Sequence, residues 1–234
     1  STLRIRASYK DIFRVPTFTD LYYLRMGNTN LKPEETSQYN VGVTWSSSCG
    51  DWLRHFSISA DGYYNTVKDK IVALPTMYVW KMMNMGEVDI KGVDVNLSTQ
   101  FRLPLRMSLL LASTYSFQYA VDVTDPEAKN YKDQTPYTPR HSGTVSVTLE
   151  NPWVNVSYIL TAVGDRYALP QNIDRNRIDS YIEQSISINR DFRFRYFGLR
   201  LQGELLNLAN VNYDVIQYYP MPGRSWRLSI CLSY

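Results

Sequence analysis

This sequence predicts an all-β chain folded as a transmembrane antiparallel β-barrel, and three observations carry the prediction. The closing segment alternates strictly, with Trp226, Leu228, Ile230, Leu232 and Tyr234 on one face of a strand and Arg227, Ser229, Cys231 and Ser233 on the other. Successive strand residues point to opposite sides, so the segment has one apolar and one polar face. The connections alternate in length: short at 46–52, 102–105, 150–152 and 190–197, long at 10–33, 69–88, 119–140, 164–177 and 209–223. Short turns at one end and long loops at the other are the pattern of outer-membrane barrels. The chain also holds 19 tyrosines, a residue that favours strands and membrane interfaces, where its ring is buried and its hydroxyl stays wet.

Ten strands follow from alternation between turn signals. The first, 2–9, sets Leu3, Ile5, Ala7 and Tyr9 against Arg4, Arg6 and Ser8. The second, 35–45, sets Tyr39, Val41, Val43 and Trp45 against Gln38, Asn40, Gly42 and Thr44. The third (53–68) and fourth (89–101) continue the pattern, with Ile58, Ala60, Val93 and Val95 opposite Ser59, Asp61, Asp94 and Asn96. The fifth, 106–118, blurs at Leu109-Leu110-Leu111. The sixth to tenth fall at 141–149, 153–163, 178–189, 198–208 and 226–234. No segment keeps a helical apolar period over three turns.

Composition narrows the class. The 234 residues are 44% hydrophobic and 20% charged, with a mean hydropathy of −0.33. No apolar run reaches the ~18 residues of a membrane-spanning helix. A barrel remains open, because every second residue of its strands faces water. The net charge of +3 is spread along the chain without a basic block, so no nucleic-acid surface is expected. Cys49 and Cys231 are too few for a disulfide framework and read as unrelated thiols. The chain opens inside a strand at Ser1-Thr2-Leu3-Arg4 without Met or signal peptide, which suggests the C-terminal part of a longer chain.

Several segments, taken in order, resemble the TonB-dependent outer-membrane receptor family. They are Phe13-Arg14-Val15-Pro16-Thr17, Asp20-Leu21-Tyr22-Tyr23, Gly27-Asn28-Thr29-Asn30-Leu31-Lys32-Pro33-Glu34 and Asn84-Met85-Gly86-Glu87-Val88-Asp89-Ile90-Lys91-Gly92-Val93-Asp94. Further along come Pro139-Arg140-His141, Asn207-Leu208-Ala209-Asn210 and Pro222-Gly223-Arg224-Ser225-Trp226, with Ala209 departing from the family's usual aromatic. The resemblance implies a plugged 22-stranded barrel, of which residues 1–234 would supply about ten C-terminal strands, without the plug or the first strands. It also implies a bacterial outer-membrane location. The implied partners are outer-membrane lipid, the TonB complex reached through an N-terminal part, a small-molecule nutrient and a surface lipoprotein.

Catalytic signals are thin. The two histidines, His55 and His141, exclude HExxH and His-rich metal clusters, and no Gly-rich phosphate loop or GxSxG segment occurs. No enzyme activity, cofactor or metal is expected. Asp61, Asp94 and Glu204 fall on predicted lumen faces, where internal salt bridges with residues such as Arg200 and Arg227 are the expected use. Arg14, Pro16, Asn30, Leu31, Pro33, Glu34, Gly92, Gly223, Arg224 and Tyr234 belong to the family-like segments and read as structural: prolines stiffen a loop, Gly27 permits a turn with positive φ, and Asn28 and Asn30 satisfy loop backbone. Recognition is expected in the long loops. The candidates there are Tyr22, Tyr23, Met77, Tyr78, Trp80, Met82, Met83, Tyr218 and Tyr219, because methionine and aromatic side chains adapt to apolar ligands. Loop cations, including Lys32, Lys132, Arg166 and Arg177, offer attraction to an anionic ligand.

The function expected from the resemblance is TonB-energised import of a scarce, large nutrient. Cobalamin or another corrinoid ranks ahead of a ferric siderophore. Haem ranks lower, since haem receptors of the family tend to carry a histidine in the segment matching Phe13 to Glu34, and none occurs there. The competing readings are a passive porin-like or adhesive barrel and a soluble β-rich binding domain.

Overall fold

A computed structural model describes residues 1–76 and 78–233; the expectations placed on Met77 and Tyr234 lie outside the described residues. The chain runs β1 (Thr2–Arg14), α1 (Phe18–Tyr22), β2 (Glu34–Cys49), β3 (Leu53–Pro75), β4 (Trp80–Leu103), β5 (Met107–Asp122), β6 (His141–Glu150) and β7 (Asn155–Val163). It continues with β8 (Arg166–Tyr167), β9 (Arg177–Ile178), β10 (Tyr181–Arg193), β11 (Gly198–Leu206), β12 (Asp214–Ile216), β13 (Tyr219–Pro220) and β14 (Ser225–Ser233). Ten of these form one antiparallel sheet in the order β1-β2-β3-β4-β5-β6-β7-β10-β11-β14, while β8-β9 and β12-β13 are small ribbons within long loops. The sheet is an antiparallel meander with β1 and β14 at its two edges.

The register carries the alternation across the whole sheet. Leu3 lies opposite Trp45 and Ile5 opposite Val43, and Val43 lies opposite Ala60. At the far edge Leu201 pairs with Ile230 and Gly203 with Leu228. The other face gathers the polar residues: Arg6 meets Asp61 at 2.8 Å, Ser116 donates to Asp94 at 2.5 Å, and Arg227 pairs with Glu204. Arg200 pairs with Asp191 through two hydrogen bonds of 2.6 and 2.9 Å. Of the three expected carboxylates, Asp61 and Glu204 therefore have arginine partners and Asp94 has a serine. Cys49 and Cys231 are free thiols.

Strands β1 to β5 are longer than alternation alone suggested, chiefly at the long-loop end, whereas β7 and β11 are two residues shorter. The long connection expected at 69–88 is not a loop: β3 and β4 continue as a ribbon to Pro75 and Trp80, closed by a tight turn in which Thr76 N–H bonds Val79 O at 2.8 Å. Trp80, Met82 and Met83 therefore sit on a strand rather than in a loop. Backbone pairing satisfies the amides of this extension, which side-chain alternation did not reveal. The loop after β1 begins only beyond Arg14, and the loop after β5 beyond Asp122. The first of these holds the five-residue α1, too short for any apolar period to register.

The buried apolar cluster comprises Val67, Met85, Val88, Ile90 and Ala120, with Tyr63 and Val72 packed against it. Val67 and Val88 are cross-strand partners, as are Ile90 and Ala120. They continue the face of Tyr63 and Asp94 towards the long loops, where the β5–β6 connection folds over them and Thr135 N–H bonds Ala120 O at 2.9 Å. Water is excluded there, so apolar residues replace the polar ones found further down the same face.

Candidate ligand-binding loop surface

The family-like segments build the frame. Thr17 caps α1 through a capping box: its hydroxyl accepts from Asp20 N–H at 3.2 Å, and the Asp20 carboxylate accepts from Thr17 N–H at 2.9 Å. That backbone donor holds the Asp20 carboxyl below its ordinary value, against the opposing effect of burial. Arg14 lies 3.2 Å from Asp20 and 3.5 Å from Glu34, and Glu34 accepts from Ile71 N–H at 3.1 Å. Leu31 is buried. Gly27 does not adopt a positive φ; among the described residues of this loop Arg25 does, at 67°. Gly27 is needed for space instead, since a Cβ there would stand 2.5 Å from Leu21 O.

The same loop is fastened across the β3–β4 ribbon. Asn28 donates to Met82 O at 3.1 Å and accepts from Asn30 N–H at 3.0 Å. Asn84 accepts from Lys32 N–H at 2.8 Å and donates to Lys32 O and Asp69 O at 3.1 and 2.7 Å. On the ribbon's other side Thr124 accepts from Glu87 N–H at 2.9 Å and fills the space beside Gly86. Gly92 is equally required, because a Cβ would press on Phe117 O and stand 2.5 Å from the Tyr63 hydroxyl.

The last long loop has its own lock. Asn207, buried at a φ of 51°, accepts from Val211 N–H at 2.9 Å and donates to Val211 O and Pro222 O. Arg224 donates to Leu208 O, and its N–H bonds the Asn210 side chain at 2.8 Å. A Cβ at Gly223 would stand 2.7 Å from Asn210 Oδ1.

The upper end of the β3–β4 ribbon and three long loops converge on a cavity of about 470 Å³ lined by Trp80, Tyr137, Pro139, Val163, Arg166, Tyr181, Val215 and Ile216. The Trp80 and Tyr137 rings lie 5.7 Å apart. Tyr181 stacks on Tyr213 at 4.0 Å, and the Tyr213 hydroxyl donates to Glu183 at 2.5 Å. Burial and that carboxylate push the Tyr213 phenol well up. Arg166 is 3% exposed, lies 5.6 Å above the Tyr181 ring and donates to the carbonyls of Asp214 and Val215. Its Nη1 has no hydrogen-bond partner, and Arg166 forms no ion pair among the described residues. Trp80 thus joins a shared cavity. Tyr22, Tyr23, Tyr78, Tyr218 and Tyr219 are exposed, Tyr78 at 89%. Met82 is half-buried and Met83 exposed on β4. Tyr137, Tyr181, Val215 and Ile216 were not anticipated; among the 19 tyrosines nothing local singles out those two, and only the register brings them to Trp80.

Comparison with known proteins places this geometry. Residues 1–208 match the family model for the TonB dependent receptor-like β-barrel. A vitamin B12 transporter, BtuB, of Vibrio vulnificus is 24% identical over 221 residues, covering 92% of this chain and 32% of that protein. BtuB of Photobacterium profundum is 32% identical over 100 residues, covering 41% of this chain and 16% of that protein. Among solved structures, the copper transporter OprC superposes with a TM-score of 0.73 at 16% identity, covering 99% of this chain and 38% of the other. The ferric citrate transporter FecA, unliganded, gives 0.72 at 12% identity, covering 98% and 36%. The chain thus spans about a third of the length of the relatives it matches end to end.

Proposed function

Because the chain belongs to the TonB-dependent receptor β-barrel family, whose members are outer-membrane proteins, we propose that it forms the C-terminal part of an active-transport barrel. That barrel would capture a large nutrient at the Trp80 cavity and pass it inward with TonB-supplied energy. The observation that carries the proposal is the convergence of the β3–β4 ribbon and three long loops on one aromatic cavity at the long-loop end. Long loops face the cell exterior in such barrels and the short turns face the periplasm. The apolar sheet face meets lipid and the polar face lines the lumen. The work is transport rather than catalysis.

A corrinoid is the favoured nutrient, ahead of a ferric siderophore, with haem behind both. Two relatives are named as vitamin B12 transporters. The flat walls of Trp80, Tyr137 and Tyr181 suit a bulky macrocycle. The test is equilibrium binding of cobalamin, haem and ferric siderophores to the full-length protein, read by tryptophan fluorescence. Cobalamin binding weakened at least tenfold by Trp80→Ala is the expected result. Tight haem binding alone would overturn the ranking, and TonB-independent conductance without ligand binding would favour a porin-like channel.

A further inference from the structure

Gly203 is a glycine without a structural need. It lies on the apolar face of β11, between Ile188 of β10 and Leu228 of β14. A Cβ built there meets nothing within 4 Å, whereas at Gly27, Gly92 and Gly223 it would collide with backbone or side chain. Glycine weakens a strand interior, and in that position it marks a bulge, a bend or a close-approaching partner. The pairing of β11 with both neighbours runs through Gly203 without a register shift, so the glycine is no bulge. The missing side chain opens an apolar groove of about 650 Å³ walled by Ile186, Ile188, Leu201, Leu205, Trp226 and Leu228.

One end of the groove is basic. Arg190 lines it and sits on the same apolar face, opposite Leu201. Its guanidinium lies 4.7 Å over the ring of Phe192, towards the short turn between β10 and β11. In that turn Arg195 covers Tyr196, and Phe194 stacks on Phe197 at 4.7 Å. The neighbouring carboxylate, Asp191, is already taken by Arg200. Neither Arg190 nor Arg195 forms an ion pair among the described residues. An arginine on a lipid-contacting face extends its charge to the headgroups, and exposed rings at that level form the interfacial belt.

We propose that the Gly203 groove and the Arg190–Arg195 rim bind one phospholipid of the periplasmic leaflet, its acyl chain in the groove and its phosphate on the arginines. The site rests on the barrel reading above, which puts the short turns at the periplasmic side. Charge complementarity selects the occupant: Arg190 lines one end of an acyl-sized apolar groove and Arg195 lies in the turn beyond it, neither with an ion pair among the described residues.

The experiment is native mass spectrometry of the detergent-solubilised full-length protein, scoring retained phosphatidylglycerol against a phosphate-free diacylglycerol. The wild type retains phosphatidylglycerol and releases diacylglycerol. Each of R190Q and R195Q lowers phosphatidylglycerol retention about fivefold, the contribution of one basic residue near an anionic surface. Gly203→Leu, which has room for its side chain, fills the groove and abolishes retention while the protein keeps its heat-shifted gel mobility. Equal retention in all variants, or equal retention of both lipids, overturns the site. A wild-type protein that migrates identically boiled and unboiled would instead overturn the barrel reading itself.

Discussion

Arg14 and Asp20 meet at 3.2 Å across the start of the first long loop, and the same guanidinium reaches Glu34 at 3.5 Å where the chain re-enters the sheet. One side chain on β1 thus ties both ends of a nineteen-residue excursion, 15–33, to the rim. Because the Asp20 carboxyl is held below its ordinary value by the Thr17 amide, its folded-state pKa lies below its unfolded one. The stabilisation is present above the unfolded carboxylate range, about pH 4, and is lost as pH falls through the lowered folded value. The hydrogen-exchange protection of Leu21 and Tyr23, taken relative to the intrinsic rate at each pH, should therefore fall in acid in the wild type. In Thr17→Ala, which loses about 1 kcal/mol of capping, that protection should already be low at neutral pH.

Two strand glycines, Gly92 on β4 and Gly203 on β11, should respond oppositely to alanine. Gly92→Ala drives a methyl group into Phe117 O and the Tyr63 hydroxyl, and should cost about 1–3 kcal/mol as overpacking. Gly203→Ala meets open space, and should be neutral or stabilise by up to about 1 kcal/mol. Unfolding by denaturant in lipid vesicles compares them directly.

The closing strand tests which face meets lipid. Leu228 and Ser229 are adjacent in sequence but lie on opposite faces, paired with Gly203 and Gln202. Leu228→Arg should cost roughly 2–4 kcal/mol near the bilayer midplane, and Ser229→Arg should be mild, since its face carries Arg227 and Glu204. Refolding stability in lipid is the measurement; a larger cost at Ser229 would reverse the assignment.

Asn207 should be the most sensitive position of the last loop. Alanine removes its bonds to Val211 and Pro222 and leaves a non-glycine residue at a φ of 51° without side-chain support. A loss of about 2–4 kcal/mol is expected, read as protease cleavage between residues 211 and 223 at concentrations that leave the wild type intact.

The ten main strands were legible because most keep polar and apolar residues in alternation, and the register extends that alternation across neighbours, including the run Leu109-Leu110-Leu111 where it lapses. The β3–β4 extension was not, because its upper part carries valine, leucine, tryptophan and methionine without a consistent polar face. Its order comes from backbone pairing and from fastening by Asn28, Asn84 and Thr124. Trp80 was legible as a candidate by its type and position. Tyr137, Tyr181 and Ile216 were not, because they come from loops and strands more than 50 residues away in the chain and meet Trp80 only when the sheet is assembled.

The fastening of the β3–β4 ribbon has a consequence for grafting foreign sequence onto the exposed end. A peptide inserted between Tyr218 and Tyr219, both solvent-exposed, opens the β12–β13 ribbon and with it the Val215 and Ile216 wall of the cavity, but leaves the fastening of the other loops in place. The same peptide placed between Met82 and Asn84 would cut the backbone carbonyl that Asn28 holds and displace the amide that holds Lys32. The damage would appear not at the insertion but across the surface, as release of the α1 segment. Epitope tags should therefore be accepted at the first site and rejected at the second, although both lie in the upper part of the fold.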